Sequence, residues 1–201
     1  MHDAAGHRRG ALPRVPRRFC FVLLVERAHA EVVSERVAKM GAARDVTLTR
    51  FDVAVLPWGA TEAHNYHLPH NTDVAECDYI DAESTRKAWD EGTKVIVLPT
   101  IPFGINTGQL DVKLDMNLYP STQMAIPDEV VDVVSRTEIR KLVVLNGHGG
   151  NDFKQMIREI GARYPEIFVC QIHWFRIMDL DVYFEEPGDH AGEMETSVMI
   201  Q

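Results

Sequence analysis

Three short apolar runs constrain this chain more than any other feature: residues 52–57 (DVAVLP), 94–99 (KVIVLP) and 141–145 (KLVVL). Each is rich in β-branched residues and too short for a helix. Compact runs of this kind, without alternation of apolar and polar residues, are strands buried on both faces, as in parallel sheets. A fourth strand is predicted over 166–174. Between the runs lie helix-length segments: 74–91, 127–139 with Pro127 near its first turn, 152–163, and a last helix opening at His190. Before the first strand, Val33, Val37 and Met40 follow the i, i+4, i+7 spacing of a short amphipathic helix over 31–40. Alternating strands and helices predict an α/β fold, a largely parallel β-sheet with helices on both faces. Functional loops then lie beyond the carboxyl ends of the strands. The polar segments after Pro57, after Leu145 and after Trp174 fall at those ends.

Composition narrows the class. With 45% hydrophobic and 25% charged residues, the chain has enough apolar surface for a core, which excludes wholesale disorder. Its length of 201 residues suits one domain, placed at 46–201, preceded by an unassigned basic tail and short helix over 1–45. The apolar run Phe19 to Val25 falls far below the roughly 18 residues needed to cross a bilayer, so no membrane partner is expected. Net charge is −9, and residues 1–18 carry five arginines against Asp3 alone, which leaves −13 on the remainder. An acidic body repels a phosphate backbone, so nucleic acid is not an expected partner. Cys20, Cys77 and Cys170 form no CxxC pair, and Cys170, within an apolar run, reads as a buried small hydrophobe. That usage fits a reducing compartment and a cytoplasmic location. The opening arginines, apolar stretch and Ala28-His29-Ala30 outline a signal peptide, but Glu26 and Arg27 interrupt it.

The densest chemical signal is Gly59-Ala-Thr-Glu62-Ala-His64-Asn-Tyr-His67-Leu-Pro-His70-Asn-Thr-Asp73. Glu62 and His64 are two apart, so an extended backbone aims both to one side. Asp73 can return to the same spot after the loop. Two carboxylates and an imidazole converging there suit Zn²⁺ or Mn²⁺; a solvated polar loop is the alternative. The second signal is Asn146-Gly-His148-Gly-Gly150-Asn151. It fails as a dinucleotide fingerprint because Asp152 stands where a third glycine or alanine belongs. Its glycines instead allow a tight turn that carries His148 to the strand tip. The third is Asp189-His190-Ala-Gly-Glu193-Met-Glu195-Thr-Ser197. There a regular helix would put His190 and Glu193 on one face and aim Glu195 elsewhere. Capping is the plainer role for Asp189 and Glu193.

Taken in order, these motifs (G-x-x-E-x-H-x-x-H-L-P-x-x-T-D at 59–73, N-G-H-G-G-N at 146–151 and H-A-G-E-x-E-T-S at 190–197) resemble the creatininase (creatinine amidohydrolase) family over about residues 52–200. The resemblance implies a metal-dependent amidohydrolase that cleaves a non-peptide C–N bond through a metal-bridging hydroxide. It implies two divalent ions per chain, zinc, manganese or iron. Glu62 and His148 would serve one, His64 the other, and Asp73 both, with His190 moving a proton toward the leaving nitrogen. Creatininase itself carries a glutamate ligand two residues after the motif histidine, where this chain has Gly150. Glu195 or water would then complete the second site, and creatinine itself is a doubtful substrate. Other Gly-Gly branches resemble formamidopyrimidine deformylases or peptide-trimming hydrolases.

The expected partners are a small-molecule amide and further copies of the chain in a homo-oligomer. Family chains continue beyond the helix at Gln201, so the C-terminal part reads as truncated. That favours the competing function, a non-catalytic, metal-stabilised subunit of an oligomer. Trp58 and Trp174 are expected in the core, His67 as a loop-fixing hydrogen bonder, and Asn106 and Thr107 on the pocket wall.

Overall fold

The computed structural model describes residues 46 and 49–200. The helix expected over 31–40, the apolar stretch at 19–25 and Cys20 lie outside the described residues. By internal contacts the chain divides into a unit Met1–Lys39, likewise outside the described residues, and a unit Met40–Gln201.

Four strands form one sheet: β1 (Val53–Trp58), β2 (Val95–Val97), β3 (Lys141–Asn146) and β4 (Phe168–His173). Their spatial order is β2-β1-β3-β4, and every pairing is parallel. The connecting helices are α1 (Thr72–Asp90), α2 (Pro120–Ser135) and α3 (Lys154–Arg163), and α4 (Glu193–Met199) follows β4. The α/β class and the parallel sheet with helices on both faces are as the apolar runs predict.

Strand periodicity sorts the two faces. Ala54, Leu56 and Trp58 of β1 and Leu142 and Val144 of β3 pack with Val131 and Val134 of α2 and Met156 and Ile160 of α3. On the opposite face, Val55 and Leu145 meet Cys77 and Ile80 of α1 and Met194 and Val198 of α4. The chain leaves β1 toward β2 but leaves β3 toward β4, on the other side. The loops following these two neighbouring strands therefore diverge and open a crevice at their carboxyl ends.

Three elements differ from expectation. Helix α1 begins at Thr72, so Asp73 lies in its first turn rather than in the preceding loop. Helix α2 begins at Pro120, where a missing N–H costs nothing, and carries Pro127 in its interior. Helix α4 begins at Glu193, because Ala191 takes a left-handed φ of 50° and Gly192 caps the helix in an extended conformation. His190 therefore precedes the helix instead of opening it.

Candidate metal centre

The crevice between β1 and β3 is built first by a close approach. A Cβ on Gly59 would lie 2.7 Å from the Val74 amide nitrogen, so only glycine lets the strand tip abut the start of α1. The loop then folds back on itself, with the Glu62 N–H donating to the His70 carbonyl at 3.0 Å. Asp115 fastens it from outside by accepting from the Ala63 N–H at 2.8 Å. Glu62, His64 and Asp73 thereby meet, each 2% exposed or less.

Three imidazoles face this point, and a backbone carbonyl fixes the tautomer of each. His64 Nδ1–H donates to the Glu62 carbonyl at 3.1 Å, His148 Nε2–H to the Ile105 carbonyl at 3.0 Å, and His190 Nε2–H to the Ala63 carbonyl at 2.6 Å. A carbonyl can only accept, so the opposite ring nitrogen in each case presents its lone pair inward. His64 Nε2 lies 2.8 Å from Asp73 Oδ1; His148 Nδ1 lies 2.8 Å from Glu62 Oε1 and 3.1 Å from Asp73 Oδ2. His64 Nε2 is also 4.0 Å from Glu195 Oε1. Despite this proximity, His64 Nε2 and Asp73 Oδ2 are buried without a hydrogen-bond partner.

Lone pairs brought this close repel one another unless a proton or a cation lies among them. The donor atoms of Glu62, Asp73 and His148 lie within 4.8 Å of one another, as do those of His64, Asp73 and Glu195, and those of Glu62, His64 and His190. Nitrogen and oxygen donors in sets of three, with orphaned buried atoms, fit divalent cations. Protonation tells the same story in its absence. Burial opposes charging His148, yet hydrogen bonding and charge from Asp73 and Glu62 push it up to about 10. His64 is raised against burial by Asp73. Burial would raise Asp73, but His148 and His64 hold it below the usual carboxylate range. Glu195 is raised by burial, with His64 and the Ala191 N–H pulling the other way.

The structure brings together all of the candidate residues Glu62, His64, Asp73, His148, His190 and Glu195. It reverses the expected aim of the last motif. Glu193 turns out to the preceding loop and accepts from the N–H groups of Glu185 and Glu186. Glu195 turns inward because the helix starts three residues later than its motif suggests. The glycines of 146–151 have no left-handed φ; at two of them the reason is close approach, since a Cβ on Gly147 would lie 2.5 Å from Cys77 Sγ and one on Gly150 2.3 Å from the Ile105 carbonyl oxygen, whereas Gly149 faces open space.

A cavity of about 390 Å³ opens over these groups, walled by Asn106, Thr107, Gln109, Phe175, Asp189 and His190 among others. Trp58 is in the core, edge-to-face with Phe153 at 4.9 Å, and Trp174 is buried beside Leu145 and Cys77. His67 bonds Thr196 Oγ1 at 3.0 Å, tying the first loop to α4. Cys170, expected to be buried, is half-buried on strand β4 at the sheet edge; Cys77 is the buried thiol.

Sequence reasoning missed the supports behind His148. Asn146 Nδ2 donates to the His148 carbonyl at 2.7 Å and to His173 Nδ1 at 2.9 Å. Asn151 links Asn146 Oδ1 to Gln123 of α2 and to the Ile105 N–H. The two asparagines bracketing the motif were the available signal. Gln109, which donates to Glu62 Oε2 at 2.9 Å, gave none.

Residues 38–201 match the sequence profile of a family described as creatininase, creatinine amidohydrolase. A crystal structure from Bacteroides fragilis NCTC 9343, described as a candidate creatinine amidohydrolase, is 38% identical with a TM-score of 0.74, over 81% of this chain and 66% of that one. A creatininase variant of Zn–Zn type is 24% identical, TM-score 0.57, over 74% of this chain and 64% of that one. A manganese creatininase is 21% identical, TM-score 0.58, over 85% and 68%. At these lower identities the likeness is one of fold. The chain thus spans just under two thirds of the first two structures. A search of curated proteins gave no match.

Proposed function

The chain belongs to the creatininase family, a family of metal-dependent amidohydrolases, and from that premise we propose that residues 46–201 hold two divalent cations and cleave a non-peptide carbon–nitrogen bond in a small molecule. One position would take Glu62, Asp73 and His148, the other His64, Asp73 and Glu195. The observation that carries this reading is Asp73, whose two oxygens face different imidazoles, 2.8 Å from His64 and 3.1 Å from His148. One buried carboxylate then belongs to both donor sets. Zinc and manganese are the first candidates, given the Zn–Zn and manganese forms among similar structures; iron suits the same donors. When bound, such a pair supplies an acidified, shared water and polarises the amide carbonyl.

The chain's own residues do the rest. An amide nitrogen leaves only when protonated, so a separate acid is required. His190 has its Nε2–H engaged by Ala63, which leaves Nδ1 facing the site, 4.0 Å from Glu62 Oε1. Its side chain is 38% exposed, so Nδ1 can take a proton at the cavity and pass it to the leaving nitrogen. Glu62, His64 and Asp73 stay out of solvent and keep their donor atoms oriented before any ligand arrives. Among the described residues lining the cavity none is a lysine or arginine, while Asp189 stands at its wall. That supports a neutral or cationic amide in preference to a phosphorylated one. A non-catalytic subunit would have no use for a cavity with a half-exposed imidazole in its wall.

Purified protein loaded with zinc or manganese should hydrolyse a non-peptide amide in a panel of creatinine, formamides and short peptides, sparing the peptides, and lose that turnover to a chelator. Two bound metals with no hydrolysis anywhere on the panel would favour the non-catalytic subunit instead.

A further inference from the structure

Each outer carboxylate of the site has one oxygen already committed. Glu195 Oε2 accepts from the Ala191 N–H, which leaves Oε1 toward His64. Glu62 Oε2 accepts from Gln109 Nε2 at 2.9 Å, which leaves Oε1 toward His148. The first restraint is backbone and cannot be removed by changing a side chain. The second is a single carboxamide.

Gln109 is delivered there by a loop with several fastenings. The Ile105 carbonyl receives His148 Nε2–H, and the Ile105 N–H donates to Asn151 Oδ1 at 3.1 Å. The Asn106 N–H donates to Asn117 Oδ1 at 2.7 Å, and the Gln109 N–H to the Asn106 carbonyl at 3.0 Å. The same loop therefore holds both Glu62 and His148, and among the described residues none of its hydrogen bonds goes to His64 or Glu195. The amide orientation is settled by chemistry: a carboxylate oxygen accepts, so the NH₂ end must face Glu62.

We infer that Gln109 is a positioning residue that holds Glu62 to one ligating oxygen and so shapes one of the two cation positions while leaving the other alone. The inference rests on the binuclear reading above. A carboxylate kept to one oxygen leaves a coordination position open for water or substrate, as a catalytic site requires. Without the donor, Glu62 is free to rotate, and the position loses the preorganisation its outer partner supplied.

The test is stepwise zinc binding to the metal-free 201-residue chain, measured by competition with a chromophoric chelator, with cobalt(II) spectra recorded in parallel. Gln109→Met keeps the length and removes the donor; Gln109→Asn keeps the amide but draws it out of reach. Both should weaken one of two binding steps by about tenfold or more and leave the other step unchanged. The cobalt bands of one equivalent should shift and those of the other should not. Leu110→Ala, at an exposed neighbour, should alter neither step. Unchanged steps, a tighter step, or equal weakening of both would overturn the positioning role. Unfolding of both variants by circular dichroism would replace it with a purely structural one. A wild-type protein that binds no metal or only one would fail the binuclear reading itself, and the inference with it.

Discussion

The two faces of the sheet are made of different material. Under α2 and α3 lies an apolar cluster with Leu56, Trp58, Val131, Leu142, Val144 and Ile160 all at 1% exposure or less. Under α1 and α4 the buried apolar residues are few, and helix α1 instead buries Thr72, Asp73, Glu76, Cys77 and Asp81. Glu76 is fully buried with neither carboxylate oxygen partnered; burial, with Glu195 and Asp73 nearby, pushes it up to about 9. Burying such groups costs free energy that apolar packing would have supplied. One face holds the fold together, and the other gives up stability to concentrate carboxylates around a common point.

Substitutions on the two faces should therefore dissociate stability from chemistry. The largest effect is expected at Leu142, wholly buried in the apolar cluster. Leu142→Ala should cost about 2–5 kcal/mol in denaturant unfolding, while the metal content of the protein that remains folded is unchanged. His190→Asn should do the reverse: turnover falls about 10²-fold, with metal content and unfolding midpoint both preserved. Unchanged turnover on an amide that the wild type hydrolyses would remove His190 from the mechanism.

The smallest effect tests the cost of the polar face. Asp81 is pushed up to about 8 by burial and by Asp78. In the unfolded chain it titrates near the ordinary value of about 3.9. Between those values the native state holds a proton that the unfolded state has lost. Its contribution is full at low pH and is lost progressively as pH rises toward about 8. Thermal melts of metal-free protein from pH 5 to 9 should fall with rising pH, and Asp81→Asn should make that fall shallower. An identical slope in wild type and variant would show that Asp81 is not paying this cost.

The contrast between the faces also explains what could be read from sequence. The apolar runs announced β1, β2 and β3 because strands packed on both sides leave no room for polar residues. Glu62, His64, Asp73 and His148 stood out because their spacing beyond strand ends is local. Glu195 was harder, since its aim depends on where α4 starts, and that is set by the left-handed Ala191 and the Gly192 cap. Pro127 reads as the boundary of α2, but Pro120 is the one that occupies the first turn. Gln109 and Gln123 were illegible, because each acts on a partner 47 or 28 residues away through a hydrogen bond that only the fold creates.

The claim that both cation positions share Asp73 is tested most directly by metal analysis of Asp73→Ala beside the wild type, after equilibration with excess zinc and exhaustive dialysis. The shared-carboxylate account predicts close to two equivalents per wild-type chain and near none in Asp73→Ala, with all hydrolysis lost. Two tightly held equivalents in Asp73→Ala would contradict it.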